Sequence, residues 1–206
     1  MIKVKICGIT NLEDALLSSS CGADAIGMIF TKKSPRFISE KMAKKIVTNL
    51  DPFIVKAGVF LDEEQQKVLD VANSLNLDVL QFHGSETFAY CNFFRPKFKV
   101  IKVFFEQDKP YDIKLARYKT DIFMFDVRYE DKTKGLKMLS EDSLKEISSF
   151  AKSNKRVIIS GGLNITNIFK IKKLKPYAVD VASGVEKLVG KKDERLLKAF
   201  IKRVKA

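Results

Sequence analysis

The sequence predicts an α/β fold, a single-domain (β/α)8 or TIM barrel that spans residues 1–206. Apolar runs of strand length alternate with amphipathic stretches of helix length from one end of the chain to the other. Eight such pairs fit into 206 residues, which is near the lower size limit of this barrel. No linker or low-complexity segment interrupts the alternation, so one domain is expected.

The predicted strands are rich in Val, Ile and Phe, as parallel strands covered on both faces tend to be. In chain order they cover residues 2–6, 25–30, 54–60, 79–82, 100–104, 122–125, 157–159 and 179–182. An open doubly wound sheet is the competing architecture, but it usually has fewer strands and a glycine-rich first turn. Gly8 stands alone in the first turn of this chain, which favours the barrel.

Helices are predicted to begin at polar capping residues between the strands. Thr10 and Glu13 have the spacing of a capping box. Asp62, Ser140 and Asn164 each precede a helical pattern in the same way. The order strand, cap, helix therefore repeats along the chain.

The chain is strongly basic, with 38 Lys and Arg against 25 Asp and Glu and a formal charge of +13. Such a charge attracts anions, and both phosphorylated metabolites and nucleic acids qualify. Basic runs at 172–175 and 191–195 suggest a nucleic-acid-binding protein as an alternative. The lysines of the last helix, however, alternate with an apolar stripe and are expected on the wet face of a docked helix. We therefore expect a small phosphorylated partner and no nucleic acid.

Cysteine and histidine usage argues against a disulfide framework and a metal site. Cys7, Cys21 and Cys91 lie far apart without a C-x-x-C pair, and His83 is the only histidine. No apolar segment has the length of a signal peptide or a membrane span. The sequence predicts a cytoplasmic protein without a metal or a membrane partner.

Function in a barrel of this kind gathers at the carboxyl ends of the strands. The first strand ends at Cys7, a thiol at the rim that is either reactive or a small buried residue. The sixth ends at Asp126, a carboxylate after a strongly apolar run. Asp126 is a candidate general acid, with a loop cap or a salt bridge as the alternative.

The seventh and eighth strands end in small residues. Gly161 and Gly162 follow the seventh strand, and Ser183 and Gly184 follow the eighth. Backbone N–H groups in such turns can converge on an anion. Each glycine alone is consistent with a tight turn, but the two neighbouring pairs favour a phosphate cradle.

Two further polar residues stand near predicted strand ends. Arg36 follows Pro35 in the loop after the second strand, where its guanidinium could bind a carboxylate bidentately. The alternative is one more solvated basic residue. His83 follows the fourth strand and is either a proton shuttle or a hydrogen-bond donor to a neighbouring loop.

Taken together, six segments resemble a known family of enzymes. They are Lys5-Ile6-Cys7-Gly8-Ile9-Thr10, Lys33-Ser34-Pro35-Arg36, Gly58-Val59-Phe60, Gln81-Phe82-His83-Gly84, Ser160-Gly161-Gly162-Leu163, and residues 179–186, which read VDVASGVE. In this order, over nearly the whole chain, the segments resemble the phosphoribosylanthranilate isomerases of tryptophan biosynthesis.

The resemblance implies an isomerase that carries out an Amadori rearrangement without a cofactor. Its substrate would be N-(5-phosphoribosyl)anthranilate and its product 1-(2-carboxyphenylamino)-1-deoxyribulose 5-phosphate. In the family, the cysteine that matches Cys7 is the general base and the aspartate that matches Asp126 is the general acid.

The resemblance also implies the substrate contacts. Arg36 would hold the anthranilate carboxylate, and Asp180 would contact the polar middle of the substrate. Gln81 and His83 match the family at the rim of the site. The phosphate would be held by the backbone around Gly161, Gly162, Ser183 and Gly184. The sequence leaves the oligomeric state open, with a monomer favoured.

One segment departs from the family pattern. After the strand-six aspartate the family commonly carries a mobile Gly-Gly-Thr-Gly-Lys loop, whereas residues 127–137 here read VRYEDKTKGLK, with a faint similarity only at Thr133, Lys134 and Gly135. A shorter, charged lid is expected. Two alternatives stay open: a protein that binds the phosphosugar without turnover, and another phosphosugar isomerase or lyase on the same barrel. The pairing of Cys7 with Asp126 argues against the second.

Overall fold

Eight parallel strands close into a barrel in which each strand pairs with the next and the eighth pairs with the first. The computed structural model describes residues 1–120, 122–128, 138–153 and 156–206. The strands are β1 (Lys3–Ile6), β2 (Ala25–Ile29), β3 (Val55–Phe60), β4 (Val79–Phe82), β5 (Lys99–Phe104), β6 (Ile122–Phe125), β7 (Val157–Ile159) and β8 (Ala178–Val181).

Closure of the barrel depends on the pairing of β1 with β8, in which Val4 lies opposite Val179 and Ile6 opposite Val181. An open sheet would leave these two strands as edges. The predicted barrel is therefore confirmed, and every predicted strand boundary lies within one residue of the observed one. The apolar runs were informative because barrel strands are covered on both faces.

Helices pack around the barrel and connect successive strands. In the described part of the chain they are α1 (Leu12–Ser20), α2 (Glu40–Asn49), α3 (Gln65–Ser74), α4 (Phe88–Phe94), α5 (Tyr111–Arg117), α6 (Glu141–Lys152), α7 (Ile168–Lys172) and α8 (Glu194–Lys205). None of these helices combines the length and apolar character that crossing a bilayer requires. Between β8 and α8, a 3₁₀ turn (Ser183–Val185) leads into a short antiparallel pair, β9 (Glu186–Leu188) and β10 (Lys191–Lys192).

The start of α1 differs from the prediction by one residue. Asn11, not Thr10, is the N-cap, because the Asn11 side chain accepts a hydrogen bond from the Asp14 N–H at 2.9 Å. Thr10 instead donates its hydroxyl hydrogen to the Gly190 carbonyl oxygen at 2.6 Å. A distant backbone partner thus competes with the local cap.

Of the other three predicted caps, one is confirmed and two are not. Ser140 caps α6 as predicted, accepting from the Ser143 N–H at 3.2 Å. Asp62 does not cap α3, because its carboxylate accepts from the Ser85 N–H at 2.6 Å across two loops. Asn164 forms a local turn with the Thr166 N–H at 2.8 Å, and α7 begins only at Ile168.

Residues alternate between the two faces of each strand. The barrel interior holds a small apolar cluster: Ala57, Val79, Ile101, Val103, Phe105, Ile122, Met124, Ile158 and Ala178. The opposite faces pack against the helices in a larger cluster that includes Val4, Ile6, Val179 and Val181. Side chains between these outer residues must therefore point into the barrel. Toward the carboxyl ends the inward side chains become polar: Lys5, Gln81, Ser160 and Asp180 are all buried.

The last helix, α8, packs as predicted. Leu197, Phe200, Ile201 and Val204 are buried on one face, and the basic residues of the last turn lie on the other. Lys192 corrects the interpretation of the basic run at 191–195, because its side chain is completely buried. It contributes nothing to a basic surface.

Candidate active site

A cavity of about 800 Å³ opens at the carboxyl ends of the strands. Of the candidate residues identified in the sequence, all but one line it: Cys7, Arg36, Gln81, His83, Asp126, Gly161, Gly162, Asp180 and Ser183. Gly184 is not among the lining residues, and an added Cβ there would collide with the Leu163 carbonyl oxygen. The fold thus brings residues that are far apart in the sequence together at the carboxyl ends of the strands, where the rule for such barrels predicts the functional site.

Cys7 is held by its backbone at the end of β1. Its N–H donates to the Val181 carbonyl oxygen at 2.8 Å, and its own carbonyl oxygen accepts from the Lys192 ammonium at 2.7 Å. The residue is 6% exposed and lines the cavity. The backbone of Cys7 is therefore held by contacts with β8 and β10, and the residue still lines the cavity.

Lys5 lies beside this thiol, inside the barrel. Its ammonium is 2.8 Å from Asp180 Oδ1, and both side chains are almost fully buried. Gly27 on the next strand provides the space, because an added Cβ would lie 2.7 Å from Lys5 Nζ and 2.8 Å from Cys7 Sγ. The ammonium and the thiol therefore meet at the one position of β2 that lacks a side chain.

These neighbours act in opposite directions on the pKa of Cys7. Burial raises the pKa of the thiol above its usual value, and the Asp180 carboxylate adds to the rise. The positive charges of Lys5 and Lys192 lower the pKa without offsetting burial. Burial also lowers the pKa of Lys5, but Asp180 and Cys7 raise it by more, so Lys5 stays an ammonium.

Asp126 lies at the end of β6 and is 5% exposed. Its Oδ1 accepts from the Val127 N–H at 2.6 Å, and its Oδ2 is 3.2 Å from the Ser160 hydroxyl. His83 Nε2 lies 3.6 Å from the same Oδ2. The carboxyl group is thus anchored on one oxygen and faces two polar side chains with the other.

Gln81 and His83 occupy adjacent inward positions at the end of β4. Gln81 Nε2 is 3.1 Å from His83 Nδ1. The Gln81 amide therefore contacts one ring nitrogen of His83, and the other ring nitrogen, Nε2, faces Asp126. Gln81 therefore orients His83, while the Gln81 Oε1 atom is buried without a hydrogen-bond partner in the described structure.

Asp180 is held by contacts within the protein through both of its carboxylate oxygens. Its Oδ1 pairs with Lys5, and its Oδ2 is 3.1 Å from the Ser160 hydroxyl. Ser160 therefore contacts Asp180 and Asp126 at once. A continuous set of polar contacts connects the strand-one side of the cavity with the strand-six side.

Arg36 also has a partner that the sequence did not indicate. Its guanidinium pairs with both carboxylate oxygens of Glu186, and Glu186 Oε1 also lies 2.9 Å from the Lys192 ammonium. Burial raises the pKa of Glu186, but Arg36 and Lys192 lower it by more, so the net shift is downward. Lys192 further donates to the Ala182 carbonyl oxygen at 3.1 Å. The β9–β10 pair thus connects the Arg36 loop to the ends of β1 and β8.

The loops after β6, β7 and β8 approach one another closely at their glycines. Gly161 and Gly162 have positive φ angles of 85° and 67°, which favour glycine. An added Cβ at Gly161 would lie 2.9 Å from the Val127 backbone nitrogen. Both positions thus have the turn conformation of glycine, and the role of these backbone groups in phosphate binding stays a prediction.

Four site residues were missed as candidates: Lys5, Ser160, Glu186 and Lys192. A charged residue within an apolar strand usually needs a buried partner, and this signal could have identified Lys5 with Asp180. Nothing in the sequence distinguishes Lys192 from the lysines on the surface. Of the predicted lid at 127–137, residues 129–137 lie outside the described residues. Among the residues that the structure does describe, no three His, Cys, Asp or Glu side chains gather to hold a metal ion.

Comparisons with known proteins each find the same kind of enzyme. The family model for N-(5'-phosphoribosyl)anthranilate (PRA) isomerase matches residues 4–203. The enzyme of that name from Thermotoga neapolitana is 40% identical over 210 residues, covering 100% of this chain and 99% of the relative. The crystal structure of phosphoribosyl anthranilate isomerase from Thermus thermophilus superposes with a TM-score of 0.89 at 34% identity, covering 99% of this chain and 98% of that chain. A second isomerase structure, in complex with reduced 1-(o-carboxyphenylamino)-1-deoxyribulose 5-phosphate, gives a TM-score of 0.85 at 38% identity over 100% and 99% of the chains.

Proposed function

The chain belongs to the N-(5'-phosphoribosyl)anthranilate isomerase family, and from that premise we propose that Cys7 and Asp126 carry the isomerisation as general base and general acid. One observation supports these roles most directly: both residues line the same cavity, at the ends of β1 and β6. The strands β7 and β8 separate them around the barrel. Acid and base therefore reach the cavity from different sides, as a reaction at two different atoms requires.

The proposed reaction is an Amadori rearrangement of an aminoribose. Asp126, as the carboxylic acid, donates its proton to the ribose ring oxygen, and the C1–O bond breaks to give an iminium ion. The positive charge acidifies the proton on C2, which Cys7 removes as the thiolate. The enolamine that results tautomerises to the aminoketose, so the overall change is an isomerisation.

The surroundings of Cys7 fit a base that is activated inside the cavity. Burial keeps the pKa of the thiol above its usual value, so the resting form is the thiol. The Lys5 ammonium beside it favours the thiolate. A thiolate of this kind is strongly basic and forms next to a fixed positive charge, which suits the removal of a carbon-bound proton.

The anionic ends of the substrate match two parts of the rim. Arg36 is the proposed partner of the anthranilate carboxylate, because a guanidinium binds carboxylates bidentately. The backbone of Gly161, Gly162, Ser183 and Gly184 is the proposed phosphate site. The wall of the same cavity includes Gln81, His83 and Asp180. The formal charge of +13 would speed the arrival of such a substrate.

We also propose that the protein works in the cytoplasm as part of tryptophan biosynthesis. All three cysteines, Cys7, Cys21 and Cys91, are free thiols, which fits a reducing compartment.

The decisive assay follows phosphoribosylanthranilate fluorescence after addition of the purified protein. We expect the signal to disappear at a rate proportional to enzyme concentration. Chromatography should separate the aminoketose product from the substrate, which has the same mass. A preparation that is folded but causes no loss at micromolar concentration would contradict the proposed activity.

A further inference from the structure

A buried ion pair lies outside the cavity, beside the loop that follows β4. Lys102 on β5 and Glu86 in that loop are 2.8 Å apart, with side-chain exposures of 4% and 1%. Ile101 and Val103, the strand neighbours of Lys102, belong to the cluster inside the barrel. Because side chains alternate along a strand, Lys102 points outward. Neither member of the pair lines the cavity, so the pair does not touch the substrate.

The pair binds the backbone directly after His83. Glu86 Oε2 accepts a hydrogen bond from the Gly84 N–H at 2.9 Å, and the Lys102 ammonium donates to the Gly84 carbonyl oxygen at 2.6 Å. The Tyr118 hydroxyl donates to the Glu86 carbonyl oxygen at 3.0 Å, which holds Glu86 itself in place. Both backbone polar groups of Gly84, the residue that follows His83, are therefore held by the buried pair.

Glu86 also connects this loop to the loop after β3. Its Oε1 accepts from the Asp62 N–H at 2.9 Å, and the Asp62 carboxylate in turn accepts from the Ser85 N–H at 2.6 Å. An added Cβ at Gly84 would collide with that carboxylate, so the two loops need a glycine there to pack together. Asp62, Gly84 and Ser85 all line the cavity. A shift of the pair would therefore move this part of the cavity wall.

His83 is the candidate site residue in this loop. Its N–H donates to the Phe60 carbonyl oxygen at 2.9 Å, which continues the pairing of β4 with β3. Its Nδ1 lies 3.1 Å from Gln81 Nε2, and its Nε2 lies 3.6 Å from Asp126 Oδ2. The ring also packs edge-on against Phe105. The barrel thus fixes the backbone before His83, whereas the backbone after it depends on the buried pair.

We propose that Lys102 and Glu86 are positioning residues that hold His83 at the cavity rim, facing Asp126. Stability alone explains the pair poorly, because a buried ion pair often stabilises a fold no better than apolar residues of similar volume. Apolar residues could not supply the hydrogen bonds to the backbone beside His83. That His83 serves the isomerisation rests on the proposed function, whereas the control of its position by this pair does not.

The direct test is NMR of the His83 ring, whose signals are unambiguous because the chain has 1 histidine. The double variant Lys102→Met/Glu86→Gln leaves no buried charge unpaired and keeps the net charge, so we expect it to fold. Its imidazole ¹⁵N and ¹H resonances should shift by more than their line widths relative to the wild type. The matched control is Lys56→Met/Asp78→Asn, which removes an ion pair of 3.3 Å at the amino ends of β3 and β4. That control should keep the wild-type resonances.

A double-mutant cycle shows whether the pair acts through His83. We expect Lys102→Met/Glu86→Gln to lower kcat/KM for phosphoribosylanthranilate about tenfold, because a displaced site residue slows the reaction. In a His83→Gln background the same change should cost less than about twofold, since the group that it positions is already absent. An equal loss in both backgrounds would overturn the inference, because it would mean that the pair supports the fold in general.

Unchanged His83 resonances in a folded Lys102→Met/Glu86→Gln variant would overturn the inference as well. If that variant does not fold, Glu86→Gln alone, which keeps the shape of the side chain, has the same two expected results. Resonances that shift as expected, in a protein whose wild type does not consume phosphoribosylanthranilate, would contradict only the proposed function.

Discussion

The guanidinium of Arg36 meets the carboxylate of Glu186 side by side, with Nη2 2.6 Å from Oε2 and Nε 2.9 Å from Oε1. The Glu186 side chain is almost fully buried, so its position is fixed by the surrounding protein. A planar guanidinium held on one edge has a fixed plane and a fixed direction. The orientation of Arg36 at the rim therefore depends on a residue after β8 and not on the Arg36 loop alone.

Replacing Glu186 by Gln removes the charge of this acceptor and keeps its shape. We expect KM for phosphoribosylanthranilate to rise about tenfold with a smaller change in kcat, because a poorly oriented arginine weakens binding of the carboxylate end. Steady-state kinetics measure both constants. Glu63→Gln is the matched control, since Glu63 pairs with Lys67 on the surface at 2.6 Å. An unchanged or lower KM in Glu186→Gln would show that Glu186 does not position Arg36 for the substrate.

Replacing Lys192 should destabilise the protein more than replacing the other lysine of the basic run at 191–195. Its side chain is completely buried and donates to Glu186 and to the carbonyl oxygens of Cys7 and Ala182. Lys192→Met should cost roughly 3 kcal/mol, because it leaves these buried acceptors with fewer donors. The corresponding fall in Tm is about 6–12 °C, measured by calorimetry. Lys198→Met, at an exposed ion pair with Glu194, should leave Tm unchanged. Equal Tm values for both variants would contradict the buried role of Lys192.

Gly27 should be needed for catalysis more than for folding. In Gly27→Ala the new methyl group occupies space within 3 Å of both Lys5 Nζ and Cys7 Sγ, so the thiol must move. We expect kcat per folded molecule to fall about tenfold or more, because even a small displacement of a reacting group slows catalysis. Gly58→Ala is the control: its methyl group would meet Leu77 Cδ1 at 2.5 Å on the helix-facing side of β3. It should lower Tm and leave the kcat of the folded fraction near the wild-type value. The reverse pattern would contradict the account.

The thiol of Cys7 should ionise with a pKa above the usual value, and Lys5 should keep the shift from being larger. Burial raises this pKa and the Lys5 charge lowers it, so Lys5→Met moves the pKa further up. The rate of iodoacetamide alkylation of Cys7, followed on its peptide by mass spectrometry, should rise with pH. It should be slower in Lys5→Met than in the wild type at every pH below the thiol pKa. Cys21, which caps the C-terminus of α1, provides the internal control. A faster reaction of Cys7 in the variant would mean that Lys5 does not stabilise the thiolate.

The barrel could be predicted from the sequence because the patterns that indicate its strands and helices are local. Each strand is an apolar run and each helix an amphipathic one, and parallel strands in this order close in one way. Cap positions were less certain for a physical reason. Thr10 and Asp62 have suitable side chains, but Gly190 and Ser85 offer them partners that local rules do not include.

The candidate site divides along the same line. Cys7 and Asp126 could be identified from their positions at strand ends, because the rule requires no knowledge of neighbours. The pairing of Lys5 with Asp180 spans 175 positions in the sequence, and that of Arg36 with Glu186 spans 150. Such contacts depend on closure of the barrel and on which face each residue presents. Lys192 is the extreme case, since only the fold distinguishes it from the exposed Lys191 beside it.

Turnover of phosphoribosylanthranilate by Cys7→Ser and Asp126→Asn tests the central claim most directly. Each substitution removes one proposed proton-transfer group with little change in volume, so binding of a reduced product analogue should persist in both. We expect kcat to fall about 10²-fold or more in each variant with the binding constant of the analogue nearly unchanged. Variants that bind the analogue and still turn over substrate at near the wild-type rate would show that Cys7 and Asp126 are not the base and the acid.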